Sequence, residues 1–229
     1  MGAGAALTGR TIVLDPGHNG HNAEHTAEIN RLVDVGNGTK ACNTTGTASD
    51  AGYAESAFNF DVAQRAAALL RAAGATVVLT RVDNNGWGPC VDRRAAIANG
   101  ARPDATVSIH ADGAPSTGHG FHVIVAKPIA GLNADVAPAS ARLGTALRDA
   151  MRGDLSGAPT ITTSTYVGQD GLIARDDLGG LNLARVPAAF VECGNMRNAS
   201  DVAVLRSPDG RQRIAQAVVD GLRRFLGPP

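Results

Sequence analysis

The chain has few aromatic residues, no excess of charge of either sign and no long apolar run. Aromatic residues make up 3% of its 229 residues, and 21 Lys and Arg balance 21 Asp and Glu. A neutral chain gives no electrostatic support for a nucleic-acid partner. No apolar stretch approaches the roughly 18 residues that a transmembrane helix needs. We therefore expect neither a nucleic-acid partner nor a transmembrane segment, and a length of 229 residues suits one domain with a full core.

Cysteine is also scarce, and its spacing limits what it can do. The three cysteines form no Cys-x-x-Cys pair, which argues against a zinc site built on cysteine. Cys42 lies in a polar loop, Cys90 follows a Gly- and Asn-rich stretch, and Cys193 directly follows an apolar run and should be buried. Our hypothesis is a Cys42–Cys90 disulfide with Cys193 free, which implies an oxidising compartment. Three unpaired thiols are the alternative.

Short Val- and Ile-rich runs alternate with longer Ala-, Leu- and Arg-rich stretches. This alternation predicts an α/β fold: a single domain with a mixed, mostly parallel sheet and helices on both faces. The expected strands are 11–15, 75–80, 105–110, 121–126 and 187–192, and the expected helices are 54–73, 91–99, 136–151 and 207–226. Irregular structure is expected over 19–52 and 153–182, which are rich in Gly, Thr, Asn and Asp. We take 10–229 as the domain and 1–9 as disordered or left over from cloning.

Four polar side chains stand at the ends of these elements. His18, His110 and Glu192 each follow or end an apolar strand, and Glu55 opens a helix. Ligands bind at the carboxyl ends of strands in open α/β sheets. Two histidines and one carboxylate make a zinc site with an open position, and a second carboxylate makes a general base. The pattern therefore indicates a zinc hydrolase that holds one ion.

Each of these residues also has a simpler interpretation. His18 could be a surface turn residue, and Glu55 could serve only the helix dipole. Glu192 could form a buried ion pair with Arg175 or Arg185. Asp112 is a weaker candidate for a hydrogen bond to a ligand, and His119 and His122 have no assigned role.

A rival metal motif occurs in the first long loop. His21-Asn-Ala-Glu-His25 matches the H-x-x-E-H pattern of inverted zincins, whose ligands must share one face of a helix. The match is short and directly follows a glycine turn. We therefore favour loop histidines at His21 and His25.

The four residues lie in segments that resemble a known family. Asp15-Pro-Gly-His18, Glu55, Ser108-Ile-His-Ala-Asp112 and Val191-Glu-Cys-Gly-Asn195 resemble, in order, the zinc-dependent N-acetylmuramoyl-L-alanine amidases of the amidase-3 type. The similarity extends over about residues 10–226. Each motif alone is weak, but four in order over a continuous α/β pattern are strong.

The resemblance implies that His18, Glu55 and His110 bind one Zn²⁺ and that Glu192 is the catalytic base and then the acid. It implies hydrolysis of the amide between N-acetylmuramic acid and L-alanine, in peptidoglycan or muropeptide fragments, during cell-wall remodelling or recycling. We expect a monomer exported to the periplasm or cell wall, with its signal peptide absent from this sequence. A zinc peptidase acting on cell-wall peptides and a non-catalytic metal-binding wall-recognition module are the alternatives.

Overall fold

A computed structural model describes residues 7–154, 161–168 and 170–227. Its strands are β1 (Thr11–Pro16), β2 (Leu32–Asp34), β3 (Thr39–Ala41), β4 (Thr76–Leu79), β5 (Ala105–Asp112), β6 (His122–Ala126), β7 (Leu172–Arg175) and β8 (Ala188–Asn195). Its α-helices are α1 (Thr26–Ile29), α2 (Glu55–Ala72), α3 (Val91–Ala101), α4 (Ala137–Asp154), α5 (Gly179–Asn182), α6 (Ala199–Arg206) and α7 (Pro208–Leu226). None of the helices in this described part of the chain is long and apolar enough to cross a membrane.

The central sheet has six strands in the order β4-β1-β5-β8-β6-β7. β4, β1, β5 and β8 run parallel, β6 is antiparallel to β8, and β7 is parallel to β6. Helices α2, α4 and α7 pack together over one face, and α3 and α5 cover the other. The mixed, mostly parallel sheet with helices on both faces confirms the predicted fold class, and it brings the carboxyl ends of β1, β5 and β8 to one edge.

Local sequence explains the ends of the long helices. The side chain of Ser207 accepts a hydrogen bond from the N–H of Gly210 (2.8 Å), and Pro208 occupies the first turn of α7. Gly227 ends that helix with φ +68°. Inside α7, a β carbon at Gly221 would lie 2.8 Å from Cα of Leu147. The glycine therefore lets α7 lie close against α4.

The five predicted strands and four predicted helices all form, with ends shifted by up to three residues. The stretches expected to be irregular contain more structure than predicted. β2 and β3 form an antiparallel hairpin within 19–52, and β7 and α5 lie in or near 153–182. Residues 155–160 and 169 of the second stretch lie outside the described residues.

The folded domain includes residues before its predicted start at residue 10. Leu7 is buried in the main core, and its N–H donates to the carbonyl of Ala73 (3.0 Å). Residues 1–6 of the predicted N-terminal extension lie outside the described residues.

The Cys42–Cys90 disulfide is present, and Cys193 is free and buried, as predicted. The bond joins the end of the β2–β3 hairpin to the residue before α3. The N–H of Val91 also donates to the carbonyl of Cys42 (2.8 Å). The hairpin is thus attached to the sheet edge where the site residues lie.

Candidate metal centre and active site

His18, Glu55 and His110 come together at the carboxyl edge of the sheet. Oε1 of Glu55 lies 3.2 Å from Nε2 of His18 and 3.0 Å from Nδ1 of His110. One ligand atom from each residue lies within 4.8 Å of the others, and the described residues contain no other such group of three His, Cys, Asp or Glu. These three residues are called the ligand cluster below.

Each ligand histidine uses one ring nitrogen for a contact outside the cluster and turns the other towards Glu55. Nδ1 of His18 donates to the carbonyl of Thr44 (3.1 Å), which leaves Nε2 free to face Glu55. Nε2 of His110 donates to Oγ of Ser108 (3.2 Å), because that hydroxyl itself donates to Oδ2 of Asp15 (2.6 Å). Nδ1 of His110 is then the ring nitrogen that faces Glu55, and it offers a lone pair to a metal once it carries no proton. A backbone carbonyl or a hydrogen-bonded side chain behind the histidine is the usual arrangement at metal sites.

Two of the three ligand-atom spacings in the cluster fit zinc. Zinc bonds of 2.0–2.2 Å in tetrahedral geometry separate neighbouring ligand atoms by about 3.3 Å. The two distances to Oε1 of Glu55, 3.0 and 3.2 Å, are close to that value. Three protein ligands of the His, His, Glu type also leave a fourth position for water or substrate.

Hydrogen bonds to both carboxylate oxygens fix Glu55 in place. Oε2 accepts from the N–H of Thr47 (2.9 Å), and Oε1 accepts from the N–H of Ala111 (3.3 Å) and from Asn59 (3.3 Å). Burial alone would raise the pKa of Glu55, but His18 and His110 outweigh burial and hold it well below its usual range. The carboxylate is therefore ionised, as a metal ligand must be.

A buried network holds the turn that carries His18. This residue has φ +58°, a left-handed conformation that is costly outside glycine. Arg94 donates to the carbonyls of His18 (2.6 Å) and Pro16 (2.7 Å) and pairs with Asp15 (2.8 Å). Arg81 donates to the carbonyl of Pro16 (2.8 Å) and to that of Ser56 in the first turn of α2 (2.8 Å). The two arginines thus fix two of the three ligands relative to each other.

Glu192 lies beside the ligand cluster without a hydrogen-bond partner of its own. It is in register with His110 on the neighbouring strand. Its buried Oε2 accepts no hydrogen bond within the described part of the chain. Burial first, and then the charges of Glu55 and Asp112, raise the pKa of Glu192 well above its usual range. A carboxyl group with a raised pKa can both take and give a proton near neutral pH.

Two cavities flank the ligand cluster. One of about 240 Å³ is lined by His18, Glu55 and Glu192 together with residues 44–47 and with residues 111–113 at the end of β5. The other, of about 190 Å³, is more apolar and lies between the β2–β3 hairpin, Phe190 and residues 178–180 at the start of α5. The first cavity joins the ligand cluster to Glu192, so it is the place where a bound substrate would meet both.

The alternative interpretations of single residues are not realised. Glu192 makes no ion pair among the described residues; Arg175 pairs with Asp177 (2.6 Å), and Arg185 donates to a backbone carbonyl. Asp112 accepts from the N–H of Gly113 (2.7 Å) and supports neither ligand histidine.

His21 and His25 do not form a second metal site. The stretch that contains them is a short 3-10 turn followed by α1, so the two histidines do not share one helix face. Each is paired with a nearby glutamate, His21 with Glu24 (3.1 Å) and His25 with Glu28 (3.2 Å). The rival H-x-x-E-H site is therefore not formed, in line with the interpretation of His21 and His25 as loop histidines.

Sequence reasoning missed the residues that hold the ligands in place. Thr44 acts through its carbonyl, which leaves no side-chain signal. Arg94 stands in the stretch Asp92-Arg-Arg-Ala, and nothing in that pattern shows that it reaches the His18 turn. Its burial, which is unusual for an arginine, becomes visible only in the structure.

Comparison with known proteins agrees with the fold. The model of the amidase-3 family, described as N-acetylmuramoyl-L-alanine amidase, matches residues 12–224. The N-acetylmuramoyl-L-alanine amidase Rv3717 of Mycobacterium tuberculosis is 45% identical over 97% of this chain and 88% of its own length. The crystal structure of the amidase Ami1 from Mycobacterium smegmatis is 45% identical, covers 97% of this chain and 99% of its own, and has a TM-score of 0.89.

A more distant structure shares the fold. AmiC2 of Nostoc punctiforme is 20% identical with a TM-score of 0.70, and it covers 97% of this chain and 99% of its own. The family model and the close relatives each span nearly the whole chain. The chain therefore belongs to the N-acetylmuramoyl-L-alanine amidase family of the amidase-3 type.

Proposed function

We propose that this enzyme hydrolyses the amide between the lactyl group of N-acetylmuramic acid and L-alanine, with one Zn²⁺ held by His18, Glu55 and His110. The observation that carries the proposal is the convergence of His18 Nε2, Glu55 Oε1 and His110 Nδ1 next to Glu192. Zinc bound there supplies a Lewis acid that lowers the pKa of water and polarises a carbonyl.

The protein's own part in the reaction is proton transfer and positioning. Glu192 takes the proton of the attacking water and passes it to the leaving nitrogen of L-alanine. Its burial and raised pKa suit a group that must change protonation state twice in one turnover. Arg94 and Arg81 keep the ligand cluster in place while this occurs.

Mass spectrometry of a muramyl-peptide incubated with the purified chain tests the proposal. We expect release of a peptide with a free N-terminal L-alanine, loss of release with a chelator, and its return with added zinc. Glu192→Gln should bind zinc as the wild type does and lose turnover by a factor of at least about 100. A cut within the peptide would select a zinc peptidase. Intact substrate at full zinc occupancy would favour a binding module.

We also propose export and a substrate range that includes soluble fragments. The Cys42–Cys90 disulfide supports an oxidising compartment. The zero formal charge gives no strong attraction to anionic wall polymers, which favours fragments at least as much as intact wall. Turnover measured side by side on purified sacculi and on muropeptides separates a role in remodelling from one in recycling.

A further inference from the structure

Three titratable side chains stand side by side across the middle of the sheet, and the proposed reaction uses two of them. β8 lies between β5 and β6, and Glu192 is in register with His110 on one side and with His122 on the other. Directly opposed residues on neighbouring strands share one face, with β carbons about 5 Å apart. His122 is therefore the neighbour of Glu192 on the side away from the ligand cluster.

His122 is buried, and Nδ1 of its ring lacks a hydrogen-bond partner among the described residues. Its side chain is 2% exposed, and Nδ1 makes no hydrogen bond within the described residues. The same holds for Oε2 of the opposed Glu192. A buried polar atom is normally paired, because an unpaired one loses its hydration without compensation. Two such atoms on one cross-strand pair indicate a group that binds both.

The surroundings of His122 keep its ring neutral and in place. Burial lowers its pKa to about 4, with smaller and opposed effects from Asp112 and Arg175. Tyr166 packs edge-on against the ring, with centroids 6.0 Å apart. A neutral imidazole carries a lone pair on one nitrogen, and Glu192 offers only acceptors once it has passed its proton to the leaving nitrogen. The pair therefore suits a ligand with at least two N–H donors.

The proposed reaction produces such a group at this position. The C–N bond breaks, the hydroxyl of water joins the carbonyl carbon, and the proton passes through Glu192 to the nitrogen. That nitrogen then carries two hydrogens, and it gains a third when the new carboxylic acid ionises. The released peptide thus ends in an ammonium group beside Glu192, while the acyl half stays on the side of the ligand cluster.

We propose that Nδ1 of His122 and Oε2 of Glu192 together bind the amino group that cleavage releases. His122 is then a further catalytic residue, on the leaving-group side of Glu192. The inference rests on the proposed amidase function, since another reaction would release another group.

The test measures binding of the released peptide to the zinc-loaded protein, by calorimetry and as product inhibition. The same peptide with an acetylated N-terminus is the matched ligand without the ammonium group. His122→Phe keeps an aromatic ring against Tyr166 and removes both nitrogens. His122→Asn keeps a polar atom on Cγ, where Nδ1 is attached, and His122→Gln places its amide one bond further out. His119→Gln, three residues earlier in the segment that leads into β6, is the control.

We expect His122→Phe to bind the free-amine peptide at least about tenfold more weakly, as for loss of a hydrogen bond to a charged group. Its binding of the acetylated peptide should not change, and kcat should fall more than KM rises. His122→Asn should restore most of the binding, and His122→Gln should not. His119→Gln should match the wild type.

Several outcomes would overturn the inference. Wild-type affinity for the free-amine peptide in His122→Phe is one, and equal loss of both peptides is another, because that indicates only a structural role. If His122→Phe does not fold or bind zinc, equal behaviour of the Asn and Gln variants would decide against Nδ1. Failure of the amidase proposal itself is separate, because it would appear as a wild-type protein that releases no L-alanine-terminated peptide.

Discussion

Gly17 lies against the imidazole of His110, and replacing it tests whether the ligand cluster binds the metal. A β carbon at Gly17 would lie 2.6 Å from Nδ1 of His110 and closer still to Cε1 and Nε2. Ordinary contact begins near 3.4 Å, and the backbone of Gly17 is outside the left-handed region. Gly17→Ala therefore leaves the turn unstrained but moves the ring by about 1 Å.

That displacement is large for a metal ligand and small for the fold. Zinc bond lengths hold to within about 0.2 Å, so a ring moved by about 1 Å no longer binds the ion. Overpacking of this kind costs about 1–3 kcal/mol of stability. We expect the zinc dissociation constant of Gly17→Ala to rise at least about 100-fold, the upper end for lost support of a ligand, with amidase activity lost and the fold kept.

Competition with a chromophoric chelator measures the zinc affinity, and circular dichroism measures the fold. Gly100→Ala is the control, because a β carbon there meets nothing within 4 Å. It lies in α3 and should stabilise the protein by about 0.5–1 kcal/mol without changing zinc affinity. Wild-type zinc affinity in Gly17→Ala would refute the assignment of His110 as a ligand through Nδ1.

Three further predictions concern the framework around the site. Burial alone would raise the pKa of Asp15, but Arg94 and two hydroxyl donors lower it from 3.8 to about 2. A carboxyl group whose pKa is lower in the folded state stabilises the fold at pH values above its unfolded pKa. About 2–3 kcal/mol of unfolding free energy should therefore be lost as the pH falls from about 4 to 2. Urea unfolding should show a correspondingly weaker pH dependence in Asp15→Asn, and an equal dependence would contradict this. Reducing the Cys42–Cys90 bond, which spans 48 residues, should cost up to about 4 kcal/mol of unfolding free energy and leave a Cys42→Ser, Cys90→Ser double variant unaffected. In Arg94→Lys, the lysine cannot reproduce the forked contacts of the guanidinium, so zinc binding should weaken about 10–100-fold in the same chelator competition. Unchanged zinc binding would show that the turn carrying His18 keeps its conformation without Arg94.

The parts of the fold that the sequence predicts are those whose signal is local. β1, β5 and β8 are apolar on both sides, and their Val and Ile runs mark them clearly. β2 and β3 have three residues each, mostly exposed, and are held by distant groups. Lys40 in the hairpin donates to the carbonyl of Asp177, and the Cys42–Cys90 bond attaches its end. No window of sequence contains these contacts.

The residues of the site also divide into those with a local sequence signal and those without one. His18, His110 and Glu192 could be predicted because a polar residue at the end of an apolar strand is unusual. The role of Thr44 could not, because it acts through a carbonyl that every residue has. His122 also looks like an ordinary strand residue until the antiparallel register of β6 places it opposite Glu192. Strand order and direction, which depend on the whole chain, decide which residues meet.

The strand that carries Glu192 is the last of the sheet to be synthesised, yet it lies in the interior of the sheet. Without β8, β4-β1-β5 and β6-β7 would be separate ribbons, each lacking the partner that β8 supplies at one edge. His18, Glu55 and His110 precede Glu192 in the sequence by 174, 137 and 82 residues. Because β8 must insert between distant partners, we expect its assembly to be slow. A nascent chain therefore contains the proposed metal ligands before it contains the proposed acid–base residue. On the proposed mechanism, hydrolysis therefore requires the chain to be complete through β8.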